Sequence, residues 1–177
     1  MALAFVLSGP DNDSYMLDGV EVWRCGTCGL PMDREVANPT FVLRDRRWDL
    51  SYTYDGYCIV SERFHAALGD QDAIYRALPS EPDFFVLSSD RFVDFDAERR
   101  GTRFEDRCDE CGRYRSVAGA TPAFLTDPVP LASNLARTNV EFGTGDEQRP
   151  LLLVGTEAAA RLRADGLAGL SLLIVEA

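Results

Sequence analysis

The chain contains no lysine: all 18 of its basic residues are arginine. That excludes the chemistries that need a primary amine, namely Schiff-base catalysis, the lysine of a phosphate-binding loop and the kinase lysine. Total absence of lysine reads as the imprint of a GC-rich genome, because a demand for guanidinium forks at one site would not remove every lysine elsewhere. Histidine is nearly absent as well, so any histidine-dependent triad would have to use His65. Neither an HExxH nor a GxSxG pattern occurs. No apolar run approaches the roughly 18 residues that a membrane-spanning helix requires. The short apolar stretch Leu3–Leu7 follows no basic segment and runs into Asp11 and Asp13, so it does not read as a secretory signal. A cytoplasmic location is the expectation. Positive charge is scarce too, with 18 basic against 29 acidic residues and a net charge of −11. That balance opposes a nucleic-acid surface, which needs clustered cations, and an anionic membrane surface. It suits a basic partner.

What remains is an ordinary globular composition, 46% hydrophobic and 27% charged over 177 residues. A chain of this length can bury a substantial core without help from metal. No repeat, low-complexity tract or composition break divides it, so residues 1–177 are expected to form a single domain. Strands are expected at Leu3–Leu7, Val20–Trp23, Thr40–Leu43, Trp48–Tyr54 and Tyr57–Val60, the last two joined by an Asp55-Gly56 turn. Ser61 is placed to cap a helix through Ala67, and Asp70 a second helix over Gln71–Leu78 that Pro79 stops. Phe84–Leu87 and Phe92–Phe95 read as strands, and 121–138 as irregular. Strands Asn139–Phe142 and Leu151–Val154 flank a Gly143–Pro150 loop. A helix capped by Thr156 and ended by Gly166 then leads to a strand at Leu170–Val175. The expected fold is α+β, strand-rich, closing in a C-terminal strand-helix-strand unit.

Four of the five cysteines fall in two matching motifs, Cys25-Gly26-Thr27-Cys28-Gly29 and Cys108-Asp109-Glu110-Cys111-Gly112. A Cys-x-x-Cys turn aims two sulfurs at one point while backbone amides stabilise the thiolates, and the glycine lets the chain leave with positive φ. Two such knuckles supply four thiolates, the set that suits tetrahedral zinc. A redox CxxC would need only one pair, disulfides are disfavoured in a reducing compartment, and an iron–sulfur cluster is the remaining rival. In a compact zinc ribbon the two pairs lie roughly 15–20 residues apart. Here residues 29–107 intervene, so the zinc module is expected to be built from 23–32 and 106–114 and to clamp an N-terminal segment onto a mid-chain hairpin. Four thiolates leave no open coordination position, so one structural zinc ion per chain, bound by Cys25, Cys28, Cys108 and Cys111, is expected rather than a catalytic one.

The other candidates have plainer readings. Cys58 sits in an apolar strand, where a small buried residue is the ordinary explanation and a thiol nucleophile served by His65 the special one. Gly143-Thr144-Gly145 opens no helix and reads as a loop. Acidic residues gather at Asp90, Asp94, Asp96 and Glu98, with arginines interleaved. A solvated face explains them, and a docking surface for a basic partner is the functional alternative. Nothing marks a carboxylate pair for acid–base work, and no enzymatic activity is expected.

Two CxxCG motifs in an acidic chain of this size resemble the bacterial double-CxxCG immunity-like proteins. The segments DLSYTYDGYCIVSERF (Asp49–Phe64), RTNVEFGTGDEQRPLLLVG (Arg137–Gly155) and AARLRADGLAGLSLLIVE (Ala159–Glu176) add to the likeness. The resemblance implies a cognate immunity partner of contact-dependent or polymorphic toxins, which protects its cell by binding the toxin. It carries zinc to the four paired cysteines and assigns no toxin-binding residue. The expected function is therefore a zinc-stabilised protein that binds and neutralises a toxin, itself expected to be basic. The competing reading is a zinc-ribbon-like module for nucleic acid or the transcription machinery.

Overall fold

The computed structural model describes residues 1–176. In chain order the strands and helices are β1 (Ala2–Ser8), β2 (Leu50–Tyr52), β3 (Cys58–Ser61), α1 (Glu62–Leu68), β4 (Ile74–Ala77), β5 (Phe84–Ser88), β6 (Phe92–Val93), α2 (Ala97–Arg100), β7 (Arg103–Arg107), β8 (Tyr114–Ala118), β9 (Ala136–Thr144), β10 (Arg149–Val154), α3 (Thr156–Ala164) and β11 (Ser171–Glu176). The fold is thus strand-rich with few helices. One sheet runs β11-β1-β10-β9-β8-β7, with β6 added to β9, and a second runs β2-β3-β5-β4. Among the described residues every strand-to-strand pairing is antiparallel except β6 on β9. Among the described residues no helix is long and apolar enough to cross a membrane.

β1 explains the layering. It is apolar at consecutive positions because both its faces are covered. Phe5 and Leu7 point to a core that also takes Leu50 and Val60 of the second sheet, Phe64 of α1 and Leu162 of α3. Ala4 and Val6 point the other way, to Phe95, Val117, Leu125 and Phe142. The second sheet repeats the device: Ile59 and Val86 face a third cluster with Met16, Phe41, Leu43 and Leu78. The order is therefore outer segment, sheet, helices, sheet, outer segment.

The chain from Gly9 to Asp49 holds no strand and is anchored by buried carboxylates. Asp55 accepts from the amides of Met16 (2.9 Å) and Leu17 (2.8 Å). Glu81 accepts from the Leu43 amide (2.8 Å) and pairs with Arg46 (2.7 Å). This corrects two expectations. Thr40–Leu43 forms no strand: the Phe41 amide bonds to the Asn38 carbonyl and the Leu43 amide to Glu81, so neither joins a ladder. Val20–Trp23 is likewise coil, and only the Arg24–Pro31 bridge next to it is β-like.

The expected helix over Gln71–Leu78 is instead β4. Asp72 adopts φ of 61°, which breaks a right-handed turn, and Ile74–Ala77 pairs with β5 from Ile74↔Ser88 to Ala77↔Phe85. The β-branched and aromatic pair Ile74-Tyr75 favours that outcome. Of Phe92–Phe95 only Phe92–Val93 is a strand, because the Phe95 amide is taken by the Asn139 side chain at 3.0 Å. β9 begins before Asn139, at Ala136, and the Gly143–Pro150 loop shrinks to a 3₁₀ turn at Gly145–Glu147. Ser61 does cap α1, its hydroxyl accepting from the Phe64 amide, whereas the cap of α3 is Gly155 rather than Thr156. The closing β10-α3-β11 unit is present as expected.

Candidate metal centre

Each cysteine pair sits on the same local scaffold. In the first, the Cys25 amide bonds to the Leu30 carbonyl (3.0 Å) and the Gly29 amide to the Cys25 carbonyl (2.9 Å). In the second, the Cys108 amide bonds to the Arg113 carbonyl (2.8 Å) and the Gly112 amide to the Cys108 carbonyl (2.9 Å). Gly29 and Gly112 take φ of 75° and 73°, the left-handed turn that the trailing glycine permits. The second knuckle is the tip of the β7–β8 hairpin, whose register runs from Arg103↔Ala118 to Arg107↔Tyr114. The first is a loop after β1, closed by the Arg24–Pro31 bridge and a Met32 amide to Trp23 carbonyl bond of 2.8 Å.

The two knuckles meet with their sulfurs turned inward. All four Sγ atoms lie within 4.8 Å of one another. Cys25 and Cys108 are 3.8 Å apart, and Cys28 and Cys111 are 3.6 Å apart. A regular tetrahedron with metal–sulfur bonds of about 2.3 Å has sulfur–sulfur edges of about 3.8 Å. A disulfide needs about 2.05 Å. The spacing therefore fits a shared cation and not a disulfide, and the four thiols could hold a metal ion. Cys25 and Cys108 are buried, Cys28 and Cys111 half-buried. The Cys111 amide, opposed by burial and aided by the Glu110 amide, draws the Cys108 thiol down to about 7. The amides of Cys28 and Thr27 act the same way on Cys25, but burial and the crowding sulfurs of Cys28 and Cys108 leave it pushed up to about 12. Four thiols this close cannot all ionise without a cation among them.

Residues that the motif did not mark hold the knuckles together. Arg24 forms a two-pronged pair with Asp146 (2.7 and 2.9 Å) and also donates to the Gly29 carbonyl at 3.0 Å. The Arg24–Asp146 hydrogen bond, with the attraction between the charges, raises the Arg24 pKa and lowers that of Asp146. Arg113 donates to the Pro31 carbonyl (2.7 Å) and pairs with Glu141 (2.8 Å). Thr27 donates to Glu110 across the two knuckles, which lowers the Glu110 pKa. The only sequence signal for these was position: Arg24 precedes its first cysteine and Arg113 follows its glycine.

The remaining candidates lie elsewhere. Cys58 is buried on β3 and burial pushes its thiol up to about 12, the opposite of nucleophile activation. His65 stacks on Tyr75 at 3.8 Å between ring centres and bonds to Asp70 at 2.7 Å. Of the acidic group, Asp90, Asp94 and Glu98 are exposed. Asp94 accepts from Asn139 (2.9 Å), and Asp96 caps α2 by accepting from the Arg99 amide (2.9 Å), so both also serve the fold. No protein family matches the chain, and no curated protein matches it either.

Proposed function

We propose that Cys25, Cys28, Cys108 and Cys111 bind one zinc ion, and that the ion is structural. The supporting observation is the set of four thiols within 4.8 Å of one another, with Cys25–Cys108 and Cys28–Cys111 at tetrahedral spacing, drawn from two segments far apart in sequence. Thiolate ligands favour zinc over hard cations, and four of them leave no position for a substrate or water. The zinc then pins the Gly9–Asp49 segment to the β7–β8 hairpin, with the Arg24–Asp146 and Arg113–Glu141 pairs as outer supports.

On that frame we read the protein as an immunity-like binding protein that neutralises a cognate bacterial toxin by occupying it. The reading is supported by the resemblance carried by the two CxxCG motifs and by the net charge of −11. An acidic inhibitor is steered onto a basic toxin, which raises the association rate more than it lowers the dissociation rate. Asp90, Asp94, Asp96 and Glu98 are the assigned acidic contact group, with Asp90 and Glu98 the members whose carboxylates make no hydrogen bond among the described residues. The test is binding kinetics against any toxin domain found encoded beside this chain. Association should slow as salt rises, by several-fold between low and physiological ionic strength, with little change in dissociation. Absence of binding to any neighbouring gene product contradicts the immunity reading and leaves the zinc assignment standing.

A further inference from the structure

Away from the cysteine centre, positive charge is concentrated where the net balance gives no reason for it. Arg34, Arg76, Arg137 and Arg149 line one cavity of about 70 Å³ at the junction of the two sheets. Two carboxylates share the lining, and both are engaged: Glu35 by Arg76, and Glu141 by Arg113 at 2.8 Å. The other three guanidiniums have no carboxylate partner among the described residues. Arg34 donates through one terminal nitrogen to the carbonyls of Asp55 and Asp146, and its other terminal nitrogen is buried without a partner. Arg137 lies over the Phe92 ring at 4.4 Å with its Nε buried and unpartnered. Arg149 lies over the Tyr52 ring at 4.2 Å.

Six buried side-chain polar atoms of the described residues lack a hydrogen-bond partner, and four belong to residues lining this cavity: Arg34 Nη1, Arg137 Nε, and the hydroxyls of Tyr57 and Ser88. Tyr57 is only 6% exposed. Buried donors left unmatched are costly, and unpaired buried charge more so. Their clustering around one cavity is explained by a ligand that accepts from all of them. An oxyanion does this, since guanidinium forks match its oxygens in pairs and hydroxyls donate to the rest. Three unpaired cations favour a dianion over a single carboxylate, and the small volume excludes a nucleotide.

We propose that this cavity binds a phosphate group, free or as the head of a small phosphomonoester, through Arg34, Arg137 and Arg149 with hydroxyl donation from Tyr57 and Ser88. The site is independent of the toxin-binding reading and shares no residue with the four cysteines. Titration calorimetry on the full zinc-loaded chain tests it, using inorganic phosphate, glycerol phosphate and acetate at matched ionic strength in chloride buffer. Phosphate should bind saturably, and at least about tenfold more tightly than acetate. A phosphomonoester that binds more tightly than inorganic phosphate identifies the ester as the ligand class, and the reverse order identifies the free ion. Combining Arg137→Gln with Arg149→Gln should weaken binding about tenfold or more, while Arg103→Gln on the exposed strand β7 should not. The double variant removes unpaired charge, so without phosphate it should melt no lower than the parent chain, and phosphate should no longer raise its melting temperature. No saturable binding by the folded parent chain, equal affinity for acetate and phosphate, or undiminished binding by a folded double variant each overturns the proposal.

Discussion

The cysteines were legible because spacing alone carries their geometry. A Cys-x-x-Cys-Gly motif specifies a turn, two converging sulfurs and a left-handed exit, and the structure builds both copies with near-identical hydrogen bonds. Gly29 has open space where a Cβ would sit, so only its φ of 75° demands glycine. Gly29→Ala should therefore cost about 1–2 kcal/mol of stability in denaturant unfolding, as a residue forced into the left-handed region does. Gly29→Asn should cost less, because asparagine tolerates that region. Arg24 and Arg113 were not legible. Their partners Asp146 and Glu141 lie far along the chain, and no local pattern announces a long-range ion pair. The Arg24–Asp146 pair is 40% and 46% exposed, so water screens it, and Asp146→Asn should cost less than about 1 kcal/mol at neutral pH. Its folded pKa is depressed, so its contribution is present above the unfolded value near 3.9 and is lost as pH falls through the lower folded value. Urea unfolding of parent and variant at neutral and strongly acidic pH should therefore converge at the acidic end.

Among the elements, strongly patterned ones are legible in the sequence and context-dependent ones are not. β1, β3, β5, α1 and the closing β10-α3-β11 unit carry apolar runs or a capping serine that act locally. β4 is a strand where the sequence suggests a helix, because Ile74–Ala77 is short and its state is decided by β5, which offers a free edge to pair with. Thr40–Leu43 failed for the converse reason: its alternation buries Phe41 and Leu43, but Asn38 and Glu81 take the amides that a ladder would need. β7 tells most about the metal. It is an edge strand with all five residues exposed, so it contributes little to any core. If zinc at its tip anchors it, removing the metal should loosen this hairpin first. Hydrogen exchange after chelation should speed up in β7 and the β7–β8 tip, while the amides of β1 and β10 stay protected. Uniform loss of protection in all strands would mean that the metal supports the whole fold and not this clamp.

Across the whole molecule, two sheets and two helices bury a core on both faces of β1, so stability does not rest on metal alone. Zinc contributes on the order of 10 kcal/mol to small modules that fold around it. Here Cys108→Ser should lower stability by only a few kcal/mol, with the melting temperature falling before any binding function is lost. Composition spoke at this scale and no other: the charge of −11 suggested a basic partner, yet it hid the arginine-lined cavity, which needs the two sheets together to exist. The proposal that one zinc ion closes the four-cysteine site carries the rest. The most direct measurement is zinc content joined to X-ray absorption on protein purified without added metal. Close to one zinc per chain is expected, with four sulfur neighbours at about 2.3 Å and no oxygen or nitrogen in the shell. Less than a third of an equivalent of zinc, with the four cysteines recovered as disulfides, would contradict it.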